Sequence, residues 1–223
     1  MGLSMADTMA FAWYVLDALT HIIMEGSYLF FAVGVQGGAR SVAERITASG
    51  STTMWDQTLL AFANIWVEYG KADVRWEGND ETVAALEALT VFVGGPLALA
   101  LAYGTWYGKA WRHPLQIVLA TAELYGGWMT FCPEWLTGSP NLRTHHPMLL
   151  FELWFMNGVW VLIPLILLVE SFVKLTRAAS GVKLAHAPDA LSSFWHYAIG
   201  ITLLVYGVSV PLILATMDPD TPW

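Results

Sequence analysis

The stretch that decides the fold is FAWYVLDALTHIIMEGSYLFFAVGV, residues 11–35, a run of mostly apolar side chains that holds two acids and one histidine. About 20 apolar residues suffice for an α-helix to cross the hydrocarbon core of a bilayer. We therefore predict a membrane-spanning helix here. Asp17, His21 and Glu25 are the residues in it that need a physical explanation.

Four more stretches have the same length and character: 82–105, 114–132, 147–169 and 194–216. The composition agrees, because 56% of the chain is hydrophobic and only 13% is charged. In lipid the backbone must satisfy its own hydrogen bonds, and spans of this length do so as helices rather than barrel strands. The sequence predicts an all-α, polytopic integral membrane protein with five transmembrane helices.

The segments between the spans suggest two parts. Residues 1–178 hold four of the spans and, at 36–81, a structured extramembrane cap or re-entrant element. Residues 179–223 hold a flexible connector and the additional C-terminal span.

Charge and cysteine content exclude several classes of protein. The formal net charge of −8 comes without a basic stripe that could follow a phosphate backbone, so nucleic acid is not an expected partner. Cys132 is the one cysteine in the sequence, which excludes an intrachain disulfide framework and a cysteine-based zinc site. We expect neither a metal nor a cofactor.

Carboxylates inside the predicted spans are the strongest functional signal. Asp17 and Glu25 lie in the first span, Glu87 in the second, Glu123 in the third and Glu152 in the fourth, and these spans contain no Lys or Arg. An ionised carboxylate near mid-membrane costs roughly 2.5–3.5 kcal/mol on insertion scales, so we expect these groups to face the bundle interior. For Glu123 and Glu152, locking helices together or facing the interface explains the acid about as well as lining a substrate does.

Helical spacing brings several polar residues to common helix faces. The groups that share a face are Asp17, His21 and Glu25; Glu87 and Thr90; and Asn157 and Trp160. We predict one central polar pocket, walled by aromatic side chains, to which Glu123 and Tyr125 of the third span also contribute. Asp17 has two possible roles, since it can line this pocket or act as a structural partner that orients His21.

Such a pocket suits carbocation chemistry. A neutral carboxylic acid can protonate an alkene, aromatic faces and a carboxylate can stabilise the cation, and a second base can remove a different proton. A double bond shifts in this way without any cofactor, and exclusion of water by the bilayer protects the cation.

A set of short motifs, in order along residues 11–175, resembles the emopamil-binding protein family, the membrane sterol Δ8-Δ7 isomerases and their relatives with the four-helix EXPERA domain. The motifs are HIIMEG at 21–26, WVEYGKADVRW at 66–76, LEALTVFVGGPLAL at 86–99, RHPLQ at 112–116, ELYGG at 123–127, HPMLLFELWFMNGVW at 146–160 and Pro164. The resemblance implies a four-helix bundle, to which the last span is an addition. It also implies a lipophilic sterol-like or terpenoid substrate, contact with membrane lipid and residence in the endoplasmic reticulum. Whether the protein forms a homodimer stays open.

The resemblance also implies roles for individual residues. It assigns proton transfer to His21, Glu25 and Glu87, and the substrate pocket to Thr90, Asn157 and Trp160. Positions that family members need for activity, as a lid or an ion-pair brace, correspond to Tyr69, Asp73 and Arg75.

The sequence departs from the sterol isomerases in three respects. Their leading transmembrane helix is missing here, and the span FWHYAIGITLLVYGVSVPLILATM is appended. Glu123 stands at what looks like a glutamine position, and Gly127 replaces an acid. An additional acid beside the pocket would fit a relative recruited to another cation-forming reaction, such as isomerisation or cyclisation of a terpenoid or modified steroid.

Four functions remain to be compared. The leading hypothesis is an intramolecular isomerase that shifts a carbon-carbon double bond, and the second is a non-catalytic protein that binds or carries a lipophilic ligand. Intramembrane acids could also form a proton or cation relay, although the broken helices typical of transporters are not indicated. A membrane di-iron oxygenase would need many clustered histidines, and the pair His145–His146 reads as part of a solvated loop.

Overall fold

The computed structural model describes residues 3–143, 145, 156–181 and 201, and this part of the chain is helical, with one isolated β-bridge between Asp73 and Leu142 and no strand. The predicted all-α class is confirmed there. The helices are α1 (Met5–Gly34), α2 (Gly38–Ser49), α3 (Met54–Tyr69), α4 (Glu81–Trp106), α5 (Arg112–Leu136) and α6 (Gly158–Ser180), with a short 3₁₀ turn at Val74–Trp76.

Three of these helices, α1, α4 and α6, are long and apolar enough to cross a membrane. They cover the predicted spans 11–35 and 82–105 and the second half of 147–169. The third predicted span is helical too, but α5, at 25 residues, is not among the three. The fifth predicted span and Glu152 lie outside the described residues. The predicted number of five transmembrane helices is therefore not confirmed.

The predicted cap is a helical hairpin. Helix α2 is bounded by glycines with left-handed backbone, Gly37 at φ 84° and Gly50 at φ 62°. The Thr53 side chain accepts a hydrogen bond from the Asp56 amide and so begins α3. Trp66 of α3 packs against the last turns of α1, and the hairpin, which we call the cap, therefore covers that end of the bundle.

Helices α1 and α4 make the closest contact of the bundle. At Gly95 of α4 an added Cβ atom would stand 2.6 Å from Ile22 Cγ1 and 3.3 Å from His21 Cβ. Only a residue without a side chain permits this approach. It sets residues Thr20–Glu25 of α1 beside Thr90–Gly94 of α4, and both segments are π-helical turns within otherwise α-helical rods.

By its contacts the chain divides into two compact units, Met1–Ala179 and Ser180–Trp223. All six helices lie in the first unit, apart from the last residue of α6. The second unit lies almost wholly outside the described residues, so the predicted connector and extra helix over 179–223 stay a prediction.

Candidate active site

His21 is the centre of a buried polar cluster. Its Nδ1 lies 2.5 Å from Glu25 Oε2, and its Nε2 lies 3.2 Å from Asp17 Oδ1. The side chain is only 4% exposed, and Asp17 is fully buried. The predicted stripe along α1 therefore exists, with the imidazole between two carboxyl groups one turn to either side.

Glu87 of α4 meets this stripe. Its carboxyl group accepts a hydrogen bond from Thr90 Oγ1 at 3.0 Å and faces the carboxyl group of Glu25. Two carboxyl groups can share a hydrogen bond only when one of them carries a proton. The paired π turns thus assemble a carboxyl pair next to a histidine, and a π turn inside an α-helix frequently marks a functional site.

Asp17 and Glu123 form a second carboxyl pair on the other side of His21. Asp17 Oδ1 accepts a hydrogen bond of 2.7 Å from Trp160 Nε1, and Glu123 of α5 lies within hydrogen-bonding reach of Asp17. When both are ionised, Asp17 Oδ2 and Glu123 Oε1 have no donor among the described residues. A single shared proton would satisfy both. We call the residues Asp17, His21, Glu25, Glu87 and Glu123 the acid cluster.

Three members of the acid cluster have the spacing of metal ligands. One ligand atom from each of Asp17, His21 and Glu123 lies within 4.8 Å of the other two. An imidazole nitrogen with two carboxylate oxygens is a donor set that zinc or manganese accepts. The same three atoms are equally placed to exchange a proton.

Aromatic rings pack together where the cap meets the last turns of α1. Trp66 stacks on Trp76 with ring centroids 5.4 Å apart, and the edges of Tyr28 and Tyr69 pack against this pair. The Tyr69 hydroxyl accepts a hydrogen bond of 2.7 Å from the side-chain amide of Asn157, which directly precedes α6. The predicted residues Tyr69 and Asn157 therefore join the cap to the start of α6.

Asp73 and Arg75 form a buried brace rather than a free lid. The guanidinium binds Asp73 through three contacts of 2.5–3.1 Å, donates to Thr130 O at 3.0 Å and lies 3.5 Å from Glu134 Oε1. Burial disfavours the charge of Arg75, but the hydrogen-bonded carboxylate of Asp73 outweighs burial and raises the pKa of the guanidinium. These two residues hold the end of the cap against the end of α5.

The structure does not bring Tyr125 to the acid cluster. Its side chain is 63% exposed on the outer surface of α5. Residues two apart on a helix point about 200° away from each other, so Tyr125 cannot share the inward direction of Glu123. We correct the prediction and leave Tyr125 out of the site.

A second polar group at the opposite end of the bundle was not assigned a role from the sequence. Arg112 is buried, pairs with Asp7, donates to Thr105 Oγ1 at 3.1 Å and lies 3.7 Å from Glu170 Oε1. Gln116 donates to Glu170 Oε2 at 3.0 Å. The spacing of four between Arg112 and Gln116 in RHPLQ could have indicated this shared face.

Comparisons with known proteins relate the chain to a family. Residues 61–171 match the family model described as EXPERA (EXPanded EBP superfamily). A probable 3-beta-hydroxysteroid-Delta(8),Delta(7)-isomerase of Oryza sativa subsp. japonica is 28% identical over 183 residues, covering 81% of this chain and 74% of the relative. The 3-beta-hydroxysteroid-Delta(8),Delta(7)-isomerase of Cavia porcellus is 27% identical over 160 residues, which are 71% of this chain and 61% of that protein.

A relative with another name is a protoglabretal synthase of Ailanthus altissima, 26% identical over 180 residues, covering 80% of this chain and 72% of the synthase. The family model covers the second half of α3, the whole of α4 with its π turn, the whole of α5 and most of α6. The predicted resemblance to the emopamil-binding protein family is confirmed: residues 61–171 of the chain match its EXPERA domain, and named isomerases of the family are similar over most of the chain.

Proposed function

We propose that this protein is a membrane-embedded isomerase that shifts a carbon-carbon double bond in a sterol-like or terpenoid substrate. One observation carries the proposal: Glu25 and Glu87 face each other beside His21, where the two π turns pack together within helices apolar enough to lie in a bilayer. A protonated acid and a base are then next to each other where water is scarce.

The chemistry needs one proton added and one removed. The protonated member of the Glu25–Glu87 pair donates its proton to one alkene carbon, and the electron pair of the double bond forms the new C–H bond. The neighbouring carbon becomes a cation. A basic group of the cluster, a carboxylate or His21, removes a proton from the carbon beyond it, and the C–H electrons form the shifted double bond.

The surrounding residues support the intermediate. The carboxylates of the acid cluster favour a cation that develops beside them. Thr90 orients Glu87, and Trp160 fixes Asp17. Asn157 acts through Tyr69, and Asp73 with Arg75 holds the cap in place.

The related proteins support the substrate class. Two of them are named as isomerases of 3-beta-hydroxysteroids, which favours a sterol-like ligand. The synthase among them, together with the additional acid Glu123, favours as second candidate a related cation-forming isomerase or cyclase of a terpenoid. Both reactions need the same acid and the same dry site, and neither needs a cofactor.

The finer features of the molecule belong to the same proposal. We expect α5 and the stretch 194–216 to cross the bilayer together with α1, α4 and α6, giving four EXPERA helices and a fifth over residues 179–223. The family relationship favours the endoplasmic reticulum. Membrane lipid and a homodimeric partner complete the expected surroundings.

The experiment compares Glu25→Gln and Glu87→Gln with the exposed control Glu44→Gln in proteoliposomes that contain a 3β-hydroxy-Δ8-steroid. Loss of general acid–base catalysis should lower turnover about 10²- to 10⁴-fold in the first two, while the control keeps its rate. Product is identified by mass spectrometry, and folding by thermal unfolding in detergent.

Full turnover in both amide variants would contradict the proposal. A protein that only binds the ligand would behave differently again: the wild type would form no product, and incubation in deuterated water would leave the bound lipid without label. The amide variants of such a protein would keep most of their affinity.

A further inference from the structure

The isomerisation as described uses only one of the two carboxyl pairs that flank His21. The imidazole contacts Glu25 through Nδ1 and faces Asp17 through Nε2, so each ring nitrogen addresses a different pair. Imidazole can take up a proton at one nitrogen and release another from the second. The pair Asp17–Glu123 is therefore connected to the reacting pair through His21.

Two more buried oxygens continue this line along the bundle. The Tyr14 hydroxyl and Gln116 Oε1 have no hydrogen-bond partner in the part of the chain that the structure describes. Tyr14 precedes Asp17 by three residues on α1, and Gln116 precedes Glu123 by seven on α5, so both lie on the faces that carry the second pair. The electrostatic neighbours of the Tyr14 hydroxyl are Glu123, Arg112, Glu170 and Asp17.

Buried polar atoms without a partner cost about 1–3 kcal/mol each, unless water or a shared proton satisfies them. Buried water molecules typically occupy such places and make about three hydrogen bonds. Four such oxygens follow one another in a row, on Tyr14, Asp17, Gln116 and Glu123. The hydroxyl and the two carboxyl groups can carry a transferable proton, and the amide oxygen can accept a hydrogen bond from a neighbouring group or a water molecule.

The row ends at partly exposed charges. Gln116 donates to Glu170, which lies 2.5 Å from Lys174 Nζ, and the side chains of Glu170 and Lys174 are 23% and 45% exposed. Arg112 binds Asp7 at the same end of the bundle. From Asp7 to Asp17 is ten residues of helix, or about 15 Å.

The opposite end of the bundle is closed among the described residues. The rings of Tyr28, Trp66 and Trp76 pack together there, and the brace of Asp73 and Arg75 lies behind them. The Tyr28 hydroxyl donates a hydrogen bond to Arg75 O. The end that carries Asp7 and Glu170 is therefore the better route to water.

We propose that Asp17, Glu123 and Tyr14, with Gln116 Oε1 as a hydrogen-bond acceptor that orients the Tyr14 hydroxyl or a bridging water, form a proton-exchange path that connects His21 with the aqueous end of the bundle at Glu170 and Asp7. This assignment rests on the proposed function for its purpose. After each turnover the donor acid has lost a proton and the base has gained one, and the path lets both exchange with water before the next substrate binds. No oxidant, reductant or metal takes part.

The first test needs no substrate. Infrared spectra of the proteoliposome-bound protein follow the carboxylic C=O band after transfer to deuterated water, in the wild type, Tyr14→Phe, Glu123→Gln and the exposed control Tyr103→Phe. Tyr14→Phe should slow the deuterium shift of this band about tenfold or more, since it removes one transferable proton from the row. Tyr103→Phe should exchange at the wild-type rate.

The second test uses turnover of the 3β-hydroxy-Δ8-steroid in deuterated water. Wild-type product should carry solvent deuterium, whereas Tyr14→Phe and Glu123→Gln should return the abstracted substrate proton and form less labelled product. A merely structural defect would change the rate without changing the label per product. If no product forms at all, the proposed function fails while the infrared test still decides the path.

Equal infrared exchange in the wild type and both path variants would overturn the inference. It would also be overturned by one zinc or manganese ion per chain that persists through purification and is lost in Glu123→Gln. Such an ion would occupy His21 Nε2 and interrupt the row.

Discussion

At the residue scale, the clearest prediction concerns Arg75. Arg75→Met should destabilise the protein by about 3–5 kcal/mol, because Asp73 and Glu134 would stay buried without their cation. Thermal or denaturant unfolding in detergent measures the change. The exposed Arg45→Met serves as control and should stay within about 0.5 kcal/mol of the wild type. Equal effects of the two changes would mean that the brace contributes little.

His21 illustrates which contacts of a residue the sequence can predict. Its spacing of four from Asp17 and from Glu25 predicted a common face, and the structure has that face. The hydrogen bond from Trp160 to Asp17 could not be predicted, because it joins residues 143 positions apart and depends on how α6 packs. The exposure of Tyr125 could have been predicted, because residues two apart cannot share a helix face.

At the element scale, the length of the apolar stretches located the long helices but not the two π turns. A π turn depends on what the neighbouring helix demands, and here α1 and α4 widen at the same level to bring Glu25 and Glu87 together. The glycine pair of VFVGGP hinted at a close approach without naming its partner. The helical hairpin of the cap was likewise predicted only as a structured element, since its segments are short and of mixed polarity.

Gly95→Ala tests the close contact between these helices. A Cβ atom 2.6 Å from Ile22 Cγ1 must push α1 away, so we expect a loss of about 1–3 kcal/mol in unfolding free energy and a lower isomerase rate. Gly126→Ala on α5, where an added Cβ meets nothing within 4 Å, should be neutral or stabilising by about 0.5–1 kcal/mol. Full activity of Gly95→Ala would mean that the site tolerates a wider spacing.

At the scale of the whole molecule, polarity is arranged as expected for a protein dissolved in lipid. Asp17, His21 and Glu87 are buried, whereas large apolar side chains such as Phe92 and Leu99 are exposed. In water such a surface would promote aggregation, whereas in a bilayer it faces the lipid chains. Composition alone predicted the class, because hydrophobic content needs no knowledge of packing.

Leu99→Arg should expose this dependence on lipid. Leu99 is 52% exposed on α4, and a cation there should cost roughly 2.5–3.5 kcal/mol during membrane insertion. Thr47→Arg on the exposed side of α2 should have almost no effect. The amount of protein recovered in the membrane fraction measures the difference, and equal recovery of both variants would contradict a lipid-facing α4.

The cap has a consequence for traffic in and out of the enzyme. With Trp66 and Trp76 stacked over one end and Arg75 bound to α5, that end offers a lipophilic molecule no opening among the described residues. We therefore expect the substrate to enter laterally from the lipid, between helices, while protons are exchanged along the bundle axis. A lipid bound at the lateral entrance would then leave proton exchange unimpeded.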